Sequence, residues 1–293
     1  MIHNQLVIVV TRLAVVAWLA TAAGTSARAA EPPGGLVLHY NFDQPDVGGL
    51  VVDRSGQNHN GHASDARFIT PGKKGGGYAL ASGDSIIRVA GSPTASVKQA
   101  TFAVWFKTSR SDATCRRILD GRAGQGYALE IGGGDQGQES RGRLAFSIGG
   151  GKPCLSDLAV TDGAWHHGAV TFDGENLRMY VDGQPQRQVT PCRIEIAALV
   201  SDLAIGMSSP DSPSQSKVLG FDGVIDELMI FHRALSAEEI RAVVAAIDPS
   251  ALKPRFTKQQ VTARLRQLKL LFDEGLLTED FYARKVAECE AAR

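Results

Sequence analysis

"WHHGAVTFDGENLRMYVDGQ", residues 165–184, decides the fold. Its first half is a strand-like run that stops at Asp173-Gly174-Glu175-Asn176. Its second half alternates Leu177, Met179 and Val181 against Arg178, Tyr180 and Asp182. Strict alternation is the period of a strand with one buried face, and two such runs joined by a glycine-containing turn make a β-hairpin.

The same texture extends outward in both directions. "TFAVWFKT" (101–108) sets Phe102, Val104 and Phe106 on one face and Ala103, Trp105 and Lys107 on the other. "LVLHYNF" (36–42) alternates, and "GYALEIGGG" (126–134) and "GRLAFSIGGG" (142–151) are two strands separated by a polar glycine-rich loop. "DLAIGM" (202–207) and "GVIDELMIFH" (223–232) close the series. Short strands with turn signals and no helix between them predict an antiparallel two-sheet sandwich, a mainly β fold.

Helix signals begin at Ser236, where "SAEEI" is a capping box for a helix that runs to about Ile247 and stops at "DPS". After the linker "SALKPRF", Thr257 and Gln260 form a second capping box, and Val261, Leu265, Leu268 and Phe272 make an apolar stripe at helical spacing. Gly275 is a C′ stop signal, and Thr278 caps a third helix carrying Tyr282, Val286 and Cys289 on one side. Residues 253–293 are therefore a helical hairpin. So short a unit is marginal alone, so it should dock on the sandwich or on a second copy of itself.

The chain has 293 residues, 43% apolar and 21% charged, with zero formal net charge. That is an ordinary globular mix, and it gives no basis for nucleic-acid or anionic-membrane partners. At the N-terminus, Arg12, the apolar run Leu13 to Ala23 and Ala27-Arg28-Ala29 have the form of a signal peptide with an A-x-A cleavage site. Residues 1–29 are read as that signal and the protein as exported, periplasmic or extracellular, with no transmembrane segment after cleavage. The run is shorter than the roughly 20 apolar residues a membrane span needs, which argues against an uncleaved anchor. Export permits disulfides. Of Cys115, Cys154, Cys192 and Cys289, we expect Cys154 to pair with Cys192, and no C-x-x-C suggests a zinc or redox site.

Two parts of the chain carry family resemblances. "VVDRSGQNHNGHA" (51–63), "YALASGDSIIRVAG", "TFAVWFKTS", "DGAWHHGAVTFDGENLRMYVDGQ" and "FDGVIDELMIFHRALSAEEI" occur in this order. Together they resemble the LamG-like, concanavalin A-like jelly rolls over about residues 36–242. The tail "LRQLKLLFDEGLLTEDFYARKVAEC" resembles the C-terminal SHOCT helical module, thought to mediate association. The chain is thus read as a signal at 1–29, a jelly roll at 34–235, a helix and linker at 236–252 and a SHOCT-like hairpin at 253–293. Members of the jelly-roll family bind carbohydrates, glycans or proteins; a few related sandwiches are glycosidases, and many members hold a structural calcium. Fold alone does not choose among these.

Glycoside hydrolysis needs two carboxylates facing one cleft. Asp226 and Glu227 are adjacent, so in a regular strand they diverge; Glu130 stands alone, and Asp135 and Glu139 lie in a loop. No catalysis is expected. His166 and His167 also diverge, so one should be packed and hydrogen-bonded while the other faces a groove. A binding face is more plausible. Trp105 and Tyr180 offer rings for sugar stacking, beside His167, and Lys107 and Arg178 offer hydrogen bonds; the alternative places Trp105 in the core.

Asp226 sits among apolar neighbours, sharing a strand face with Val224, Leu228 and Ile230, and must have a partner there. Calcium would serve if Asp43, Asp53, Asn58 or Asn60 met Asp226, with Asp84 as a further donor. The alternative is an Asp accepting backbone N–H groups. "DRSGQNHNG" departs from an EF-hand loop at Ser55 and Gln57 and reads first as a turn. The expected function is non-catalytic recognition of carbohydrate or cell-envelope glycan, with self-association through the hairpin. A protein-interaction or structural role is the alternative, and a concanavalin A-like glycoside hydrolase a further one.

Overall fold

The computed structural model describes residues 32–45, 47–81, 83–91, 93–94, 98–121, 126–149, 151–193, 202–208, 219–252 and 258–291. The expected signal segment 1–29 and the cap residue Thr257 lie outside the described residues. Two antiparallel sheets form a sandwich, as the alternation predicts. Eight strands make the first sheet: β1 (Leu36–Tyr40), β4 (Arg67–Lys74), β5 (Gly76–Leu80), β7 (Ala100–Lys107), β12 (Trp165–Phe172), β13 (Asn176–Val181), β14 (Gln184–Pro191) and β17 (Gly223–Phe231). Nine make the second: β2 (Leu50–Val51), β3 (Gly61–Ser64), β6 (Ile86–Val89), β8 (Arg116–Asp120), β9 (Tyr127–Ile131), β10 (Arg143–Ile148), β11 (Cys154–Ala159), β15 (Leu203–Ile205) and β16 (Leu219–Gly220). The one parallel pairing between these strands is the short β16 on β8.

The interior is built by the predicted faces. Phe102, Val104 and Phe106 of β7 join Leu177 and Met179 of β13 in one cluster with Ile118, Leu129, Leu144 and Phe146 of the second sheet. Aromatic rings cross the gap, with Phe102 4.6 Å from Tyr127 and 5.2 Å from Phe146 between centroids. Each such side chain buried contributes about 1.5–3 kcal/mol, which is what commits the strands to this register.

The hairpin of residues 165–184 forms as read. Asp173 accepts the amides of Glu175 and Asn176 and so closes the β12–β13 turn. At the next turn Asp182 and Gly183 both have positive φ, +50° and +74°, the conformation that a two-residue β13–β14 connection requires. Gly183 is also pressed from outside: a Cβ there would lie 2.5 Å from the Leu252 side chain.

One strand departs from simple alternation. β17 pairs Asp226 with Trp105 but Met229 with Ala103, so three steps on β17 span two on β7. Glu227 is the extra residue, with φ +47°, and the strand is bulged there. The bulge resets the faces. Ile225, Leu228 and Ile230 all point into the sandwich, and Met229 and Phe231 point out. The expectation that Asp226 shares a face with Leu228 and Ile230 is therefore corrected.

The outward face of the first sheet is covered by α1 (Ala237–Ile247). Its Ile240 and Val243 pack on Ala103, Ala169, Tyr180, Met229 and Phe231 as a second core. The Ser236 capping box forms as expected: Ser236 Oγ accepts the Glu239 amide and Glu239 Oε2 accepts the Ser236 amide. The helical hairpin is α2 (Lys258–Asp273) and α3 (Glu279–Ala291). Gly275, at φ +71°, lies at the end of α2; its N–H reaches Phe272 O while Leu276 N–H reaches Leu271 O, the paired bonds of a glycine-terminated helix. Phe272 and Tyr282 stack at 4.5 Å between the two helices. α3 lies against β11, the end strand of the second sheet, so the hairpin docks on the sandwich.

The expected Cys154–Cys192 disulfide is not formed; all four cysteines are buried and none is disulfide-bonded. Both residues join the main core cluster, but the Cys154 thiol is turned to the carbonyls of Leu177 and Gln188, 3.9 and 3.8 Å away.

Candidate functional site

The residues expected to bind ligand do share one face. His167, Trp105 and Asp226 are register partners across three neighbouring strands, β12, β7 and β17. Trp105 and His167 pack edge to face, 5.3 Å between centroids. Tyr180 lies opposite Ala169 on the next strand. Exposure is where the expectation fails. Trp105 is 1% exposed, His167 0% and Tyr180 5%, so no ring is open for stacking. Tyr180 is committed to the α1 interface. Lys107 remains exposed, and Arg178 is half-exposed and paired with Asp173. The alternative, that Trp105 is a buried core residue, holds, although the ring lies on the sheet face turned away from the main cluster.

Over Trp105 lies a residue that the sequence reading did not single out. Lys73, at the end of β4, holds its ammonium 4.2 Å from the Trp105 ring centroid, a cation–π contact. The same Nζ donates to Asp248 Oδ2 at 2.5 Å. Asp248 terminates α1 and accepts the amide and hydroxyl of Ser250 through Oδ1. The Lys73 bond, with help from Ser250, holds the Asp248 carboxyl down at about 2.

Beneath this cover the row is incompletely bonded. Trp105 Nε1 and both ring nitrogens of His167 are buried without a hydrogen-bond partner. Burial depresses His167 to about 4, against the opposing pull of Asp182. His166 is the packed histidine of the pair: its Nδ1 meets Asp182 Oδ2 at 2.9 Å and its Nε2 meets Asp162 Oδ1 at 3.0 Å. Burial would lower His166, but these two carboxylates outweigh it and hold it above its ordinary value. The two histidines diverge, as expected, but His167 is fully buried and does not face an open groove.

Asp226 is fully buried. Its Oδ2 accepts the amides of Lys73 and Lys74 at 2.8 and 2.9 Å, and its Oδ1 accepts that of Glu227 at 2.8 Å. Burial pushes it up to about 7 against those amides, and the Glu227 charge adds to the rise. Because of the bulge, Glu227 lies on the same side as Asp226, reaching His39 Nε2 at 2.7 Å, so the expected divergence of these carboxylates is corrected. Both are buried and engaged, not open to a cleft.

Of the residues expected to donate to calcium, Asp43, Asp53, Asn60 and Asp226 are hydrogen-bonded within the protein. Asp53 accepts the amides of His39, Ser55 and His59 and the Ser55 hydroxyl, and its own N–H donates to Asn60 Oδ1. Burial works against its charge, but those donors prevail and hold Asp53 below the usual carboxylate range. Asn58 supplies a positive φ of 61°. "DRSGQNHNG" is thus a turn wound around one carboxylate. Asp43 bonds Asn41, Asp84 is exposed, and Asp226 is spent on amides elsewhere. Among the described residues no group of three or more His, Cys, Asp or Glu is arranged to hold a metal ion.

A second buried polar group lies on the outward face of the second sheet. Arg117 of β8 bonds Glu130 of β9, and Asp120 lies 3.5 Å from Arg117 Nε. Gln136 donates to the other Glu130 oxygen at 2.7 Å. Glu130 is therefore paired and not alone, a point visible in sequence only as a charge inside the apolar runs "RRILD" and "YALEI".

Known proteins agree with this architecture. The domain 4 of AbnA, a GH43 extracellular arabinanase from Geobacillus stearothermophilus, solved in complex with arabinotriose, matches with a TM-score of 0.55 at 20% identity, over 71% of this chain and 98% of that one. The binding domain of Paraclostridial Mosquitocidal Protein 1 matches with a TM-score of 0.55 at 15% identity, over 72% and 52%. The binding domain of botulinum neurotoxin DC, in complex with rat synaptotagmin II, matches with a TM-score of 0.52 at 12% identity, over 73% and 52%. The match thus spans about half the length of these toxin domains, and at such identities the likeness is one of fold. No curated protein matches the sequence. The family model described as the concanavalin A-like lectin/glucanases superfamily matches residues 81–241. With the two-sheet sandwich in place, the chain belongs to the concanavalin A-like lectin/glucanases superfamily.

Proposed function

We propose that this protein is an exported, non-catalytic saccharide-recognition module whose C-terminal hairpin, similar to SHOCT, serves association. The observation that carries the reading is the row on the first sheet, where Trp105 Nε1 and both His167 nitrogens are buried and unpaired. Buried polar groups are nearly always satisfied, and exceptions mark places built for something else. A neutral sugar has the matching chemistry: a C–H face for an indole and hydroxyls that both donate and accept. The AbnA domain, solved with arabinotriose, is a precedent in the same fold. The engagement of Asp226 by three amides and of Glu227 by His39 argues against an acid–nucleophile pair.

NMR titration with arabinotriose and other neutral oligosaccharides at millimolar concentration tests this. The His167 ring signals should move and the sugars should remain intact. Shortened products would sink the non-catalytic reading, and unmoved His167 signals with every sugar would sink the saccharide reading. EDTA should change neither binding nor melting, since the carboxylates of Asp53 and Asp226 are taken by N–H groups.

A protein partner is the second reading. Leu270, Leu276 and Phe281 of the hairpin are exposed, and the botulinum neurotoxin DC domain was solved with a protein, synaptotagmin II. Light scattering of the chain against a Leu276→Asp variant reads association directly: equal masses at all concentrations would remove self-association.

A further inference from the structure

The row that binds saccharide in the reading above is closed in this structure, and the Lys73 side chain lies against its indole. Trp105 and His167 lie outside the apolar contacts of α1, which engages Tyr180, Met229 and Phe231 instead. What lies against the indole is the Lys73 ammonium, and what holds that ammonium is Asp248. The Lys73 and Asp248 side chains are 13% and 26% exposed, so the pair sits at the rim, within reach of water. The Lys73 backbone is fixed independently, because its N–H and that of Lys74 bond Asp226. The side chain can therefore leave while the hairpin tip and α1 stay in place.

We infer that Lys73 is a gate on a saccharide site formed by Trp105 and His167, with Asp248 as the latch that keeps the gate shut. The inference rests on the saccharide reading and adds regulation to it. The ammonium occupies the indole face on which a sugar ring would stack, so gate and ligand compete for one surface. Opening exposes one aromatic face and leaves Trp105 Nε1 and the His167 nitrogens to pair with hydroxyls. Such a site takes a neutral saccharide: a cationic one would meet the same place as Lys73 but also Lys73 itself, and an anionic one would bind the ammonium and not the ring.

The test uses the full chain carrying Trp18→Phe and Trp165→Phe, in which Trp105 is the remaining indole. Acrylamide quenching then reads access to Trp105, and circular dichroism confirms that each variant is folded. Asp248→Asn keeps the acceptor for Ser250 but removes the charge that holds Lys73; Lys73→Ala removes the gate. Loss of a rim ion pair shifts an open fraction by up to about fivefold, so quenching and arabinotriose affinity should both rise by about that factor in Asp248→Asn, and further in Lys73→Ala. Unchanged quenching in both variants overturns the gate. Increased quenching with no binding of any neutral oligosaccharide upholds the gate and overturns the saccharide reading. Binding that needs Trp105 but is equally strong with and without Asp248 upholds the saccharide reading and overturns the latch.

Discussion

The outward faces of the two sheets solve one problem in opposite ways. Each buries ionisable and polar side chains away from the sandwich interior. On the second sheet Arg117 and Glu130 are 1% and 2% exposed and bonded to each other, with Gln136 on the other Glu130 oxygen and Asp120 3.5 Å from Arg117 Nε, which makes no hydrogen bond. On the first sheet the ion pair is at the rim, Lys73 with Asp248, and the polar atoms beneath it, on Trp105 and His167, have no partner. A buried network whose charges are paired specifies a structure, whereas ring nitrogens left without a partner store a cost that something else can relieve. The second face is accordingly framework and the first is the one to interrogate for ligands.

The sharpest way to break this contrast is Glu130→Ala. It leaves the Arg117 charge buried beside Asp120, and removal of one partner of a buried pair costs about 3–5 kcal/mol. Urea unfolding should show the midpoint fall accordingly. A loss under about 1 kcal/mol would mean that this face is as open as the other rim.

How much of this the sequence showed depends on distance along the chain. The alternation of β7 and of the 165–184 hairpin is local, so the strands, their faces and the Ser236 cap were legible. That Trp105, His167 and Tyr180 share a face followed from the same parity. Their burial did not, because the cover comes from elsewhere: Lys73 and Asp248 are 175 residues apart. The bulge at Glu227 was equally hidden, since nothing in "GVIDELMIF" marks which residue takes positive φ. It shifted every later residue of β17 by one face and put two carboxylates on the same side.

The next largest effect is a pH effect within the first face. Burial favours the neutral form of both Asp226 and His167, but the signs of linkage are opposite. Asp226 is raised from 3.8 to about 7, so its contribution is full below 3.8 and is lost as pH rises to 7. His167 is lowered from 6.5 to about 4, so its contribution is full above 6.5 and is lost as pH falls to 4. Between pH 4 and 6.5 the two nearly cancel. His167→Phe removes one of them: the variant should be more stable than the parent by about 3 kcal/mol at pH 4, and its stability should then fall as pH rises toward 7. A variant whose profile parallels the parent's would show that His167 is not held neutral.

Asp182→Ala has a smaller effect. Asp182 takes the His167 amide on one oxygen and the His166 ring on the other, from a residue at φ +50°. Losing a buried acceptor and an αL-tolerant residue together should cost about 2 kcal/mol. Asp182→Asn, which keeps an acceptor for the His167 amide, should recover most of it. If Asn is as damaging as Ala, the charge opposite His166 matters more than the amide bond.

The smallest effect on stability is at the latch, and it is the one that separates the faces most cleanly. Lys73–Asp248 and Arg117–Glu130 each join a cation to a carboxylate, Arg117 with Asp120 besides. If the chemistry of the pair set its worth, Asp248→Asn would resemble Glu130→Ala. If burial sets it, Asp248→Asn should cost no more than about 1 kcal/mol, because water can replace the partner at the rim. Acid does the same job reversibly. Asp248 is depressed to about 2, so its contribution is present above about 4 and is lost as pH falls through 2. Equal losses in the two variants would mean that the latch is framework too, and the first face would then have no reason to open.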